Sequence, residues 1–158
     1  MRGLGPIAAL VLAAGAPVAG ADEIPFDAGL MADCVDAGRN EACIGLAARD
    51  CIERDGPMSA GICMGAENLW WMERAARTVE ALRPREAEMR DRARQRGWPE
   101  TLPTLDEIGG LMDAYRNAAC GWHMAAWDGL HAGFEEMDCL LTFNARHALW
   151  LEERLRTD

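Results

Sequence analysis

Six cysteines, Cys34, Cys43, Cys51, Cys63, Cys120 and Cys139, are the residues of this chain whose type and spacing say most about its chemistry. Thiols bind metals, exchange electrons or close disulfides, and spacing and compartment select among these. No C-x-x-C occurs, no histidine stands at ligand spacing from a cysteine pair, and C-x-x-C-H is absent, which argues against zinc and c-type haem. His123, Asp128 and His131 lie near a helix end and have the donor types of a metal site, but three such groups near a loop also arise without one. Glu135-Glu136 and Asp106-Glu107 have the form of acid/base pairs. Both pairs precede or open helices, where carboxylates complement the helix dipole. His147 reads as a core histidine on an apolar face, and the nine methionines are dispersed as core filler, not grouped for copper. There is no G-x-S-x-G and no glycine-rich phosphate loop. The expectation is a non-enzyme with no metal and no cofactor.

The even cysteine count gains meaning from the first residues. Arg2 forms a short charged region, Ile7 to Ala14 an apolar run, Pro17 a break, and Ala19-Gly20-Ala21 a small-residue cleavage site. The run is shorter than the roughly 20 residues a spanning helix needs. Residues 1–21 are therefore expected to be a signal peptide, and residues 22–158 a single periplasmic or secreted domain with no membrane insertion after cleavage. In an oxidising compartment six cysteines read as a disulfide framework.

Charge narrows the partners. The chain has 26 acidic residues against 16 arginines and no lysine, a formal charge of −10, which becomes −11 once Arg2 leaves with the leader. Such a surface disfavours nucleic acid and anionic lipid and suits a basic partner, though it also serves solubility alone. Residues 73–96 run against the trend, with eight arginines and five acids. Arg90, Arg92, Arg94 and Arg96 read as a solvated helix face, with Glu86 and Glu88 placed four residues ahead for pairing.

The elements that must carry these residues are helical, because apolar positions recur at helical spacing and strand alternation is sustained nowhere. A first helix is expected from Phe26 to Asp36, then a turn at Gly38–Asn40 with Asn40 as N-cap of a second helix reaching Arg54. Ile44, Ala47, Ala48 and Cys51 share a face of that helix, and Asp55-Gly56-Pro57 ends it. A third helix begins near Ser59 with Ile62, Ala66, Leu69, Ala76, Val79 and Leu82 as its apolar stripe, widened by Trp70 and Trp71. Its charged continuation to Arg96 is expected to kink at Pro84. Thr104 to Glu107 forms a capping box. The fourth helix places Leu105, Ile108, Met112, Tyr115, Ala119, Trp122 and Ala126 inward and stops at Asp128-Gly129. A loop over Gly129–Glu136 follows, and a last helix from Glu136 to Arg154 turns Leu140, Phe143, His147, Trp150 and Leu151 inward. The fold expected is an all-α, disulfide-stapled bundle of four to five helices.

Turn geometry then selects a nearest-neighbour pairing among 15 connectivities. Cys34 and Cys43 flank the Gly38 turn, Cys51 and Cys63 flank the Gly56-Pro57 turn, and Cys120 and Cys139 sit on consecutive helices.

Met112-x-x-Tyr115-Arg116-Asn117-x-x-Cys120, with Cys139-Leu140-Leu141 and Leu151-Glu152, resembles the lysozyme inhibitor LprI family of small exported helical domains. The upstream cysteines and the Trp70-Trp71 helix resemble members with an extended N-terminus, so the likeness covers roughly residues 34–155. The family's usual pattern has a Trp where Met112 stands and an Asp at Asn117. It has Thr and Arg where Asn144 and His147 fall, and a glycine-pair loop here reduced to Gly129 and Gly133. What the resemblance implies is a periplasmic binding module that occludes a basic lysozyme, with the segment carrying Gly129, His131, Gly133, Glu135 and Glu136 as the plug. The alternative is an envelope interaction protein with some other protein partner.

Overall fold

The computed structural model describes residues 26–98 and 102–157, and within them the chain is helical with no strand. Five helices follow in order: α1 (Ala28–Asp36), α2 (Leu46–Asp55), α3 (Ala60–Gln95), α4 (Leu105–Met124) and α5 (Gly129–Arg156). Short 3₁₀ turns at Asn40–Cys43 and Pro57–Ser59 join the first three. This is the disulfide-stapled all-α bundle expected. The leader expected at 1–21 lies outside the described residues. No helix among those described is long and apolar enough to cross a membrane.

Helices α3 and α5 form the spine. Helix α4 lies on α5 and α2 on the first half of α3, while α1 packs on α2 and joins the core that holds Trp71. Met31, Cys34 and Val35 of α1, Cys43, Ala47 of α2, Trp71 of α3, and Leu141, Ala145 and Ala148 of α5 make the main core. The alanines let backbones approach, and Trp71 fills the space between them with no exposure. Removing an indole from water is worth about 4–6 kcal/mol, so this one residue is a major term in the core. Disulfides join Cys34 to Cys43, Cys51 to Cys63 and Cys120 to Cys139, at Cα separations of 5.8, 5.8 and 5.6 Å. The pairing is the nearest-neighbour one, and it staples α1 to the following turn, α2 to α3, and α4 to α5.

Several local expectations are corrected. Asn40 does not cap α2. It opens the 3₁₀ turn at φ +38°, and α2 starts six residues later behind Gly45. Gly45 has φ +76°, a backbone conformation that residues with a Cβ rarely adopt, so glycine is favoured there. Helix α3 runs through Pro84 as one continuous helix, in which the proline does not donate to the carbonyl four residues back. The lost bond is offset by contacts on both sides. Arg83 binds Asp106 and Glu80 at 3.1 and 2.8 Å, Arg85 reaches the carbonyl of Arg154, and Glu86 accepts from the Leu105 N–H at 3.2 Å. The helix therefore runs 36 residues, about 54 Å.

The buried faces are also rotated from those expected. On α3 Trp71 and Leu82 are buried as expected, but the rest of the buried line is Cys63, Glu67 and Thr78, whereas Ile62, Leu69 and Ala76 face solvent. One residue of offset is 100° of rotation. The rotation passed unseen because the true line runs through a glutamate and a threonine. On α5 the buried residues are Leu141, Asn144, Ala145, Ala148 and Leu151; Leu140, Phe143 and His147 are half-buried and Trp150 is exposed. On α4 only Cys120 is buried, because that helix leans on α5 alone for most of its length.

Candidate functional site

The residues that carry the resemblance do meet in space. Arg116 of α4 donates from Nη1 to Asn144 Oδ1 of α5 at 2.7 Å, and Asn144 Nδ2 donates to Asn68 Oδ1 of α3 at 2.7 Å. A guanidinium has only donors, so it fixes which end of the Asn144 amide faces it. The same guanidinium binds Asp113 at 2.8 Å and Asn117 Oδ1 at 3.1 and 3.0 Å. Three helices are thus tied by one polar chain whose middle member, Asn144, is buried. A small cavity of about 180 Å³ lies beside it, reached by Met72, Val79, Asp113, Arg116, Asn144 and His147. Met112 closes the neighbouring crevice. Burial pushes the His147 imidazole below its ordinary pKa, with Asp113 pulling it up and Arg116 pushing it down.

The remaining motif residues have structural work of their own. Tyr115 meets Phe143 edge-on at 5.6 Å and is otherwise exposed. Leu151 is buried. Glu152 pairs with Arg74 of α3, whose guanidinium also lies 5.1 Å over Trp70. Arg116 therefore bonds one acid, Asp113, and two side-chain amides, Asn144 and Asn117.

The expected plug is not a loop. Gly129 opens α5, and Gly133, Glu135 and Glu136 lie in its first two turns. The sequence reading failed here because two glycines and a histidine weaken helical propensity, whereas docking of Phe134 and Met137 on the Cys51–Cys63 staple holds the turn helical. His123 and His131 come together as their spacing suggested, yet on Glu135, not on Asp128. Their Nε2 atoms lie 3.1 and 3.2 Å from its two carboxylate oxygens, with Trp127 edge-on to His131 at 4.6 Å. Asp128 stands at the N-cap of α5 without a side-chain bond. The one metal-spaced cluster among the described residues is Cys51, Asp55 and Cys63, and both of its sulfurs are spent on each other in the disulfide.

The carboxylate pairs are likewise committed. Glu135 serves the two histidines, Asp106 pairs with Arg83, and Glu107 completes the Thr104 capping box, which lowers its pKa through the Thr104 backbone and hydroxyl.

One residue escaped the sequence reading entirely. Glu67 of α3 is fully buried, and its carboxylate accepts from Gly45 N–H at 2.6 Å, Ala48 N–H at 2.8 Å and Trp71 Nε1 at 3.0 Å. It caps the N-terminus of α2 from a different helix, supplying the acceptor that Gly45 lacks. Its signal was available: an acid set four residues from a cysteine on one side and a tryptophan on the other. A second missed feature is the outer face of α4, where Leu111, Tyr115 and Trp122 are 69, 62 and 79% exposed.

No family model, no curated protein and no solved structure matches the chain.

Proposed function

We propose that this chain is an exported, non-enzymatic binding module of the cell envelope that recognises a basic muramidase, as the LprI-like motif implies. The observation that carries the reading is the outer face of α4. Leu111, Tyr115 and Trp122 share it with Gly110, Ala114, Ala118, Gly121 and Ala125, so beyond Glu107 in its first turn the face carries no charged side chain, on a chain of −10. A surface that withholds charge and offers two aromatic rings suits burial against a partner. Beside it, residues 121–138 contribute Asp128, Glu135, Glu136 and Asp138 and no arginine. An apolar centre with an acidic border matches a partner whose surface is cationic, and the border raises the encounter rate. Three disulfides suit an oxidising compartment.

A cell-wall turbidity assay with a basic lysozyme tests this. Wild-type protein is expected to inhibit at micromolar concentration, less so as salt rises. Tyr115→Asp with Trp122→Asp is expected to abolish inhibition while leaving the helical circular dichroism unchanged, since both side chains are exposed. Glu136→Lys with Asp138→Lys should weaken inhibition more than Glu53→Lys with Glu73→Lys, an equal charge change away from the face. Equal effects of the two pairs would reduce the interaction to net charge. Absence of inhibition would leave another envelope protein as the partner of the α4 face, to be sought by periplasmic pull-down with the Tyr115/Trp122 variant as control.

A further inference from the structure

The arginine-rich end of the molecule holds a cleft that the proposed docking face does not use. It lies where the C-terminal half of α3 meets the start of α4 and the end of α5, and its volume is about 490 Å³. That is within the range of small-molecule sites, roughly 300–1,000 Å³. Leu82, Met89, Leu105, Ile108 and Trp150 give it an apolar lining, and Arg85, Arg92 and Arg154 stand among the same walls. The acids there are Glu86 and Glu88. Glu86 is set against Arg90 and the Leu105 N–H, so it does not oppose an incoming anion. Three arginines thus stand among the lining residues against two acids. Arg85 is anchored on the carbonyl of Arg154, and Arg154 lies over the Trp150 ring at 5.4 Å and bonds Glu153 at 3.2 Å. Arg92 has no ion pair or side-chain hydrogen bond among the described residues.

We infer that this cleft binds a single-chain anionic amphiphile of the fatty-acid class, its alkyl chain along Leu82, Leu105, Ile108 and Trp150 and its carboxylate at Arg92. Two observations select that chemistry. An apolar lining rules in an alkyl or aromatic body, since burying it there removes hydrocarbon from water. Cations concentrated at one cleft of a strongly acidic chain select a negative head, and a guanidinium binds a carboxylate with paired hydrogen bonds. The volume accommodates a chain of roughly 12 carbons at about 30 Å³ each. Bulk membrane anions are disfavoured by the net charge of −10, so the ligand is a monomer that enters the cleft and not a bilayer surface.

Isothermal titration of the oxidised mature chain with laurate, below its micelle concentration, tests the inference. Laurate is expected to bind one to one, butyrate not at all, and dodecanol at least tenfold more weakly than laurate. Arg92→Gln is expected to weaken laurate about tenfold without changing the weak dodecanol binding. Met89→Asp, at a half-exposed position where a charge leaves the core intact, should abolish binding of both. Laurate heat absent in wild-type protein, or equal affinity for laurate and dodecanol, would overturn the proposal. So would Arg92→Gln and Met89→Asp binding laurate as wild type does, which would place the ligand elsewhere. A peptide ending in an aliphatic residue with a free carboxylate, outcompeting laurate, would also overturn it in favour of a chain terminus. None of these results depends on whether lysozyme is inhibited.

Discussion

Trp71 and Met89 lie on the same face of α3, about five turns apart, since 18 residues complete five turns at 3.6 per turn. Trp71 is fully buried and Met89 is 45% exposed. The first half of the helix is enclosed by α1, α2 and α5, crosslinked to α2 by Cys51–Cys63 and buttressed by a buried carboxylate. The second half meets the start of α4 and the end of α5, and polar contacts join them: Arg83 pairs with Asp106, Glu86 accepts from the Leu105 N–H, and Arg85 donates to the Arg154 carbonyl. The contrast shows that one continuous helix can serve as core at one end and as the wall of an open cleft at the other. What changes along it is the number of neighbouring elements, not the helical pattern. Burial and covalent staples resist salt, whereas exposed ion pairs are individually weak and screened.

The comparison is broken most directly at Glu67. Glu67→Ala strips three donors of their acceptor in the enclosed half and should cost about 3–5 kcal/mol, read as a shift of the urea midpoint at unchanged slope. A loss below about 1 kcal/mol would show that the trans-helix cap is not what holds α2. Arg116 sits where the enclosed half gives way to the open one. Arg116→Ala leaves Asn144 Oδ1 buried and unpaired, so a loss of about 1–3 kcal/mol is expected in the same measurement. Full stability with loss of partner binding would instead move Arg116 into the recognition surface.

In the open half the effects should be smaller. Thr104→Ala removes the hydroxyl that accepts from Glu107 N–H at 2.9 Å and should cost about 1 kcal/mol. Hydrogen exchange should quicken at the first turn of α4 before anywhere around Trp71; uniform quickening would mean that the two halves unfold as one unit. The mildest effect concerns pH. Burial, the main cause, holds the His147 pKa below 6.5, so the unfolded chain takes up a proton first on acidification. The stability contributed by neutral His147 is complete above pH 6.5 and declines as pH falls through the lower folded value. Wild-type melting temperature should therefore drop more across that window than that of His147→Gln. Identical profiles for the two proteins would show that other groups govern the acid limb.

Much of this architecture was legible along the chain because it depends on neighbours in sequence. The three disulfides follow from turns at Gly38 and Gly56 and from the succession of α4 and α5. The Thr104–Glu107 cap is complete within four residues. The helix count needed only periodicity. Part of the site was legible too: Arg116, Asn144 and His147 were singled out, and they lie together. That His123 and His131 share Glu135 was not legible, because only the helical turn over 129–136 brings that carboxylate under both rings.

The amino-acid sequence by itself determined most of the helical segments (the turn over 129–136 excepted), where the glycines must bend the chain and which cysteines can meet, since each of these is settled within a few residues by backbone sterics, local hydrogen bonding and loop closure. Tertiary structure alone decided which face of each helix is covered. Glu67 is buried because Gly45 and Ala48 present unsatisfied N–H groups to it from another helix. Trp122 is exposed because α4 has a neighbour on one side and none on the other. Burial depends on how many elements surround a position, and that number is a property of the assembled fold that no helical period encodes.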